Sequence, residues 1–343
     1  MLAELEKEQL LPEGFTVRPA TLDDAETAVS IMNACSQAQF GRDEHNVDDV
    51  KTEWSHKKFN LETNTRLVFS PDGEPAGYVE IWDIRAVPVN PWVWARVHPK
   101  FEGLGIGTYL LQYGEERVRL VEDRVPEDAK ISMRCGTVST HEPAKELLTD
   151  YGMNLIRSFW TMLIDLDEQP DFPTLPNHIT VKTFTETQDL LQVVRAVNEA
   201  FKDHWGFVAQ PEEETLKDWA EWIEKDPKHD PTLWFLAMDG DEIAGVSLCR
   251  LEAWNDPSWG WVDELGVRRD WRRQGVALAL LQHSFAELYK RGKKHVGLGV
   301  DADSLTGATR LYEKAGMRIY REFHDYEKVL RPGRDYATQT LDD

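Results

Sequence analysis

Trp261-Val-Asp-Glu-Leu-Gly-Val267 runs directly into Arg268-Arg-Asp-Trp-Arg272-Arg273-Gln274-Gly275-Val276-Ala277, and this stretch decides the fold. The first seven residues read as a buried strand and the next block as a glycine turn rich in arginine. A helix follows, because Ala277, Leu281, Phe285 and Leu288 recur at helical spacing and Arg291-Gly292 supplies a stop. The first-turn N–H groups of a helix lack intrahelical partners and the helix dipole adds partial positive charge, so such a turn is an anion site. Gly275 lets a ligand approach the backbone, and Ala277 keeps the first turn small. Arg268, Arg269, Arg272 and Arg273 add formal charge. The stretch asks for a phosphate-bearing ligand, although solvated arginines on an ordinary strand-to-helix turn would have the same composition.

The chain has 343 residues, enough for about two domains at ~100–200 residues each. Against 39 Lys and Arg stand 61 Asp and Glu, a net charge of −22. Such a surface repels nucleic acid and anionic membranes, so neither is an expected partner. It also makes a local basic cluster around residue 270 more telling, since an acidic protein needs one to hold an anionic cofactor. Cys35, Cys135 and Cys249 are odd in number and far apart, which argues against disulfides or a zinc site and for buried thiols in a reducing compartment. His141-Glu142 has no second histidine at helical spacing, and no metal is expected. The acidic N-terminus does not read as a signal peptide, and no run approaches ~18 apolar residues. A cytoplasmic protein is expected.

The order of elements repeats. Strand 15–19, helix from Thr21 to about Gln37, a short helix near 48–58, a hairpin at 66–82, strand 91–97, a glycine turn, helix 107–121, strand 130–135, helix 143–151 and strand 155–166 form one series. Strand 178–182, helices 185–200 and 212–225, a hairpin at 232–250, the 261–267 strand, its loop and helix, strand 295–300, helix 305–315 and closing strands 317–329 form the second. Val17 matches Val181 and Gly152-Met153 matches Gly316-Met317 at an offset of 164, while Val97 matches Val267 and Gly105 matches Gly275 at 170. The expected boundaries are an N-terminal extension 1–14, a domain 15–166, a proline-rich acidic linker 167–177, a domain 178–331 and a tail 332–343.

Arg272-x-x-Gly275-x-Ala277 after a strand, followed one strand and one helix later by Leu311-Tyr312-x-x-x-Gly316-Met317, resembles the GCN5-related N-acetyltransferase (GNAT) family. Its pyrophosphate loop is Arg/Gln-x-x-Gly-x-Gly/Ala. The resemblance implies an α+β fold of two tandem acyl-CoA N-acyltransferase domains, each a mixed, mostly antiparallel sheet flanked by helices. Two-copy members of the family include the mycothiol synthase-like proteins, in which the second copy does the chemistry. The cofactor implied is acetyl-CoA, held by Leu265, Gly266 and Val267 on the strand, by Arg272, Arg273, Gln274, Gly275, Val276 and Ala277 on the loop, and near Asp301. The reaction implied is acetyl transfer to a primary amine of a small molecule by direct attack, with Tyr312 as general acid.

The first half keeps Gly103, Gly105 and Gly107, with Ala95 and Val97 on its strand, as a possible second CoA site. Glu102 stands where the family has Arg or Gln, and needs a neighbour such as Lys100 to neutralise it; Leu148 stands in place of Tyr312. That half is expected to be catalytically silent. In the second half, Gly297 and Gly299 on one strand face allow two readings, close packing onto the sheet or access for the cofactor chain. Asp263 or Glu264 is a candidate base for the incoming amine, or else structural; the glutamate that the family often carries earlier on this strand is Trp261 here. Asp203, His204 and Trp205 fall where the family builds its acceptor wall, or form a solvated turn. The alternative from another class is an acyl-CoA-binding sensor without turnover.

Overall fold

The computed structural model describes residues 11–170 and 174–341. Residues 1–10 of the expected extension, 171–173 of the linker and 342–343 of the tail lie outside them. Two compact units emerge. The first holds the chain up to Arg157 together with Phe323–Tyr336, and the second holds Ser158–Glu322 together with the residues from Ala337 onward. The units therefore depart from the contiguous halves 15–166 and 178–331 at their last strands.

The first unit contains β1 (Thr16–Arg18), α1 (Ala25–Phe40), α2 (Val47–Trp54), α3 (Leu61–Asn64), β2 (Thr65–Phe69), β3 (Pro75–Trp82), β4 (Trp92–Val97), α4 (Ile106–Arg119), β5 (Ile131–Val138) and α5 (Glu142–Asp150). Strands β1 to β4 pair antiparallel, and β4 meets β5 in parallel at Trp92 and Arg134. α1 packs Ala25, Ala28, Ile31 and Met32 against Leu67 and Tyr78 of the sheet. The last strand of the first half, β6 (Asn154–Asp165), does not return to β5.

The second unit contains β7 (Ile179–Thr183), α6 (Phe184–Thr187), α7 (Leu190–Phe201), α8 (Glu212–Lys225), β8 (Trp234–Asp239), β9 (Glu242–Arg250), β10 (Trp259–Val267), α9 (Val276–Lys290), β11 (His295–Asp301) and α10 (Ala308–Lys314), and the chain continues into β12 (Arg318–Arg331). The expected helix 185–200 is broken: Gln188 adopts φ 51°, and Asp189 caps α7 by accepting from the Gln192 amide. The expected helix 305–315 starts only at Ala308, because Gly307 at φ 73° closes the preceding turn. β7 to β10 pair antiparallel, and β10 pairs with β11 in parallel.

The sheets are completed crosswise. β11 pairs with Phe159–Asp165 of β6, and β5 pairs with Phe323–Arg331 of β12. Met162 and Leu166 from the first half of the sequence enter the core of the second unit beside Leu281, Phe285 and Leu298. In the first unit, Glu327 of β12 accepts from Ser132 at 2.8 Å and pairs with Lys130 and Arg134. Each closing strand pairs with a strand of the other half of the sequence, and a strand's own pattern does not name its partner.

Candidate active site

The strands β10 and β11 stay paired from Trp259–His295 to Val262–Leu298. Beyond that point β10 carries a bulge at Asp263, where the register with β9 shifts between Val262 and Glu264. A bulge turns and twists a strand locally, and here the two central strands part. The gap is a cleft of about 170 Å³. Val262, Asp263 and Leu265 form one side, and Leu298, Gly299, Val300 and Asp301 the other. Ser304–Thr306, Ala308 and Tyr312 close it on the α10 side, while Phe159, Phe201, His204 and Trp205 form a largely aromatic wall.

The two glycines of β11 have different jobs. A Cβ on Gly297 would lie 2.6 Å from the Trp261 ring, so that glycine admits a packed indole. A Cβ on Gly299 would meet nothing within 4 Å, and Gly299 lines the cleft. Gly275 caps α9 at φ 85°, a conformation other residues rarely adopt, and leaves the amides of the first turn, Val276 to Leu278, without intrahelical acceptors.

The arginines around this loop are not equivalent. Arg268 pairs with Glu199 at 2.6 Å and with Glu242. Arg269 pairs with Asp203 through both ends of its fork. Arg272, expected to meet cofactor phosphate, is bonded at each of its three nitrogens: Nε to the Val267 carbonyl at 3.0 Å, Nη1 to Asp203 at 2.6 Å, Nη2 to the Ala200 carbonyl at 3.1 Å. It braces the loop from beneath. Arg273 is exposed, has no bonded partner among the described residues, and sits at φ 61°. Gln274 is exposed beside it and bonds back to the Asp270 carbonyl.

Asp203, expected on the acceptor wall, does not line the cleft. It is 3% exposed, and the hydrogen bonds from Arg269 and then Arg272 hold its carboxyl well below the usual carboxylate range despite burial. His204 and Trp205 do line the cleft, and burial lowers the His204 pKa, followed by the nearby Arg272 charge. The sequence reading missed Phe159, which reaches the cleft only because β6 crosses over, and Phe201, which ends α7 two residues before Asp203. Gly266 and Val267 lie deeper in β10, under α7 and α9; a Cβ on Gly266 would meet Ala200 and Phe201 at 2.8 Å.

Asp263 opens into the cleft and pairs with Arg250 at 3.2 Å. Desolvation pushes its carboxyl up to about 6. Glu264 has no hydrogen-bond or ion-pair partner among the described residues; desolvation, then the Asp263 charge, pushes it up to about 7. Tyr312 is 7% exposed, its hydroxyl has no hydrogen-bond partner among the described residues, and it borders the cleft. Burial, then Glu264, raises the Tyr312 phenol above its ordinary value.

The first unit keeps the loop backbone but not its surroundings. Gly105 caps α4 at φ 85°, as Gly275 caps α9. Glu102 lies 3.6 Å from His141, and Lys100, expected to neutralise it, pairs instead with Glu74. The carbonyls of Ala95 and Val97 accept from Arg96 and Cys35, and a Cβ on Gly107 would lie 2.6 Å from Leu147. Gly103, the counterpart of Arg273, adopts φ 75°. Leu148 is packed at 4% exposure.

The acetyltransferase (GNAT) family profile matches residues 28–125 and 194–317. A mycothiol acetyltransferase of Thermobispora bispora is 29% identical over 225 residues, 64% of this chain and 70% of that protein. One of Streptomyces scabiei is 28% identical over 261 residues, covering 74% and 76%. A crystal structure of a GCN5-related N-acetyltransferase from Sphaerobacter thermophilus superposes with a TM-score of 0.79 at 34% identity, covering 96% of this chain and all of that one. A tandem GNAT protein from the clavulanic acid biosynthesis pathway shares the fold at TM-score 0.70 and 13% identity, over 93% of this chain and all of that one. With both matched regions together spanning more than half of the chain, and a split pair of central strands at the base of a glycine-capped helix, the protein belongs to the acetyltransferase (GNAT) family as an acyltransferase with two copies of the fold in tandem.

Proposed function

We propose that this chain transfers an acetyl group from acetyl-CoA to a primary amine of a small molecule, in the cleft of its second unit. The observation that carries the reading is Tyr312: a nearly buried phenol that borders the cleft and whose hydroxyl has no partner among the described residues. A tyrosine kept for packing ordinarily pairs its hydroxyl when buried. A sensor without turnover gives no reason for that arrangement. The relatives named mycothiol acetyltransferases support a small-molecule acceptor.

The residues fit an acyl-CoA. The open first turn of α9 and the free Arg273 suit the phosphates, with Gln274 to Ala277 as the loop around them. The gap beyond Val262 and Leu298, bare at Gly299, suits the pantetheine arm, with Leu265 and Asp301 on either side. When bound, acetyl-CoA supplies an activated acyl group. The chain's own residues do the rest. The cleft would hold amine and thioester together, and a backbone amide of β10 beyond the bulge would be available to polarise the thioester carbonyl. Asp263 or Glu264, raised toward neutrality, takes the proton of the incoming ammonium group, replacing the glutamate that Trp261 displaces.

Tyr312 stays protonated at any physiological pH. A free thiol ordinarily titrates near ~8.5, below the raised phenol, so complete proton transfer is uphill. Its contribution is a hydrogen bond to sulfur as charge develops. The first unit does no chemistry in this reading, since Leu148 has no proton to offer. The test is thiol release from acetyl-CoA across a panel of small amines, with Tyr312→Phe beside the wild type. Release with no amine, or equal rates from both proteins, overturns it.

A further inference from the structure

The aromatic wall of the cleft is carried by a loop, residues 202–210, with little regular structure of its own. On the inner side it is pinned by Asp203 through Arg269 and Arg272. On its outer side it is pinned by the end of the chain. The Gly206 amide donates to the Thr338 carbonyl at 2.8 Å, and the Thr338 amide donates to the Phe207 carbonyl at 2.9 Å. Val208 and Ala337 form an antiparallel bridge. The Thr338 hydroxyl donates to the Lys202 carbonyl at 3.0 Å, and the Trp205 indole N–H donates to Gln339 Oε1 at 3.0 Å. A short piece of tail thus spans the loop from Lys202 to Val208, and the Gln339 side chain holds Trp205.

We propose that Ala337–Gln339 is a positioning element of the acceptor site: the strap holds Trp205, and with it His204, so that this wall fits the amine. This rests on the acetyltransferase reading above. The bonds that hold the strap run to the 202–208 loop, so its effect is assigned to the acceptor. Trp205 faces Phe159 across a centroid distance of 6.5 Å, and a swing of the indole changes the width of the wall where an acceptor enters. Gln339 acts through Trp205 and is no catalytic residue.

The experiment is steady-state kinetics on the full chain, with acetyl-CoA and the best amine from the panel, joined to hydrogen exchange. Gln339→Leu removes the acceptor of the indole N–H, whereas Gln339→Glu keeps an oxygen there. Thr338→Val removes the hydroxyl, whereas Thr338→Ser keeps it. Gln339→Leu and Thr338→Val each raise acceptor KM about 3–10-fold, the scale of one lost hydrogen bond, while kcat and the KM for acetyl-CoA change less than about 2-fold. Gln339→Glu and Thr338→Ser restore acceptor KM. Removing residues 337–343 raises acceptor KM further and strips exchange protection from the Gly206 amide. An acceptor KM unmoved by Gln339→Leu and by the deletion overturns the proposal, as does a fall confined to kcat. If the wild type turns over no amine, the functional reading fails on its own. The strap is then judged by exchange alone: protection at Gly206 unchanged by the deletion overturns it, and its loss supports it.

Discussion

Arg272 Nη1 lies 2.6 Å from Asp203, beneath the loop that opens α9, while Arg273, the next residue, turns outward without a partner. Neighbours in sequence therefore differ in kind. Arg272→Gln leaves a buried carboxylate with Arg269 alone and costs about 3 kcal/mol, the scale for breaking a buried pair. Arg273→Gln should leave Tm within about 1 °C and weaken acetyl-CoA binding roughly 5–20-fold, as expected for one charge-assisted contact. Calorimetric melts and binding isotherms on the two variants check the split.

Tyr312→Phe should lower kcat by about 10²-fold, at the lower end for positioned acids, because only a hydrogen bond to sulfur is lost. Acetyl-CoA affinity and Tm should stay at wild-type values, since the hydroxyl has no partner among the described residues to orphan. Stopped-flow thiol release at saturating substrate measures it. A Tm drop of several degrees would return Tyr312 to the core.

Desolvation pushes the carboxyls of Asp263 and Glu264 up, to about 6 and about 7. Amine acetylation, read as kcat/KM, should therefore rise from pH 5.5 to 7.5 and lose this limb in the Asp263→Asn Glu264→Gln double variant. The stability effect has the opposite sense. A carboxyl raised in the fold favours the native state fully below its unfolded value of ~4.3, and that benefit is lost as pH climbs through 7. Glu264→Gln should thus match wild-type Tm at pH 4 and exceed it by about 2–4 °C at pH 8. Equal Tm at both pH values would mean that the carboxylate is solvated.

Met162 belongs to the first half of the sequence and to the core of the second unit, where it is fully buried. Met162→Ala should cost about 2–5 kcal/mol. Hydrogen exchange should show the loss in β11 and α9, with β3 and β4 of the first unit unchanged. Protection lost in the first unit instead would contradict the crossed strands.

Much of this was legible in the residues. The helical spacing of Leu281, Phe285 and Leu288, the glycine at 275 and the offset repeat give the two copies, because burial and φ > 0 impose local constraints that a sequence records directly. Tyr312 was singled out by contrast with Leu148, and it borders the cleft. The arginines misled, since composition reports charge but not partner: Asp203 lies 69 residues from Arg272, and no local pattern joins them. The crossed strands were invisible for a related reason. A closing strand shows which of its faces is apolar, but not which of two similar edges it will join.

The exchange of closing strands also bears on the history of a duplicated chain. A copy relieved of chemistry is ordinarily free to erode or be deleted. Here Phe159–Asp165, encoded with the first copy, supplies both a strand and an aromatic cleft residue to the second unit, while Phe323–Arg331 does the reverse for the first. Cutting out either copy removes an edge from the sheet that remains. The two copies are thus tied together by the strands they exchange, whatever becomes of the first copy's own loop.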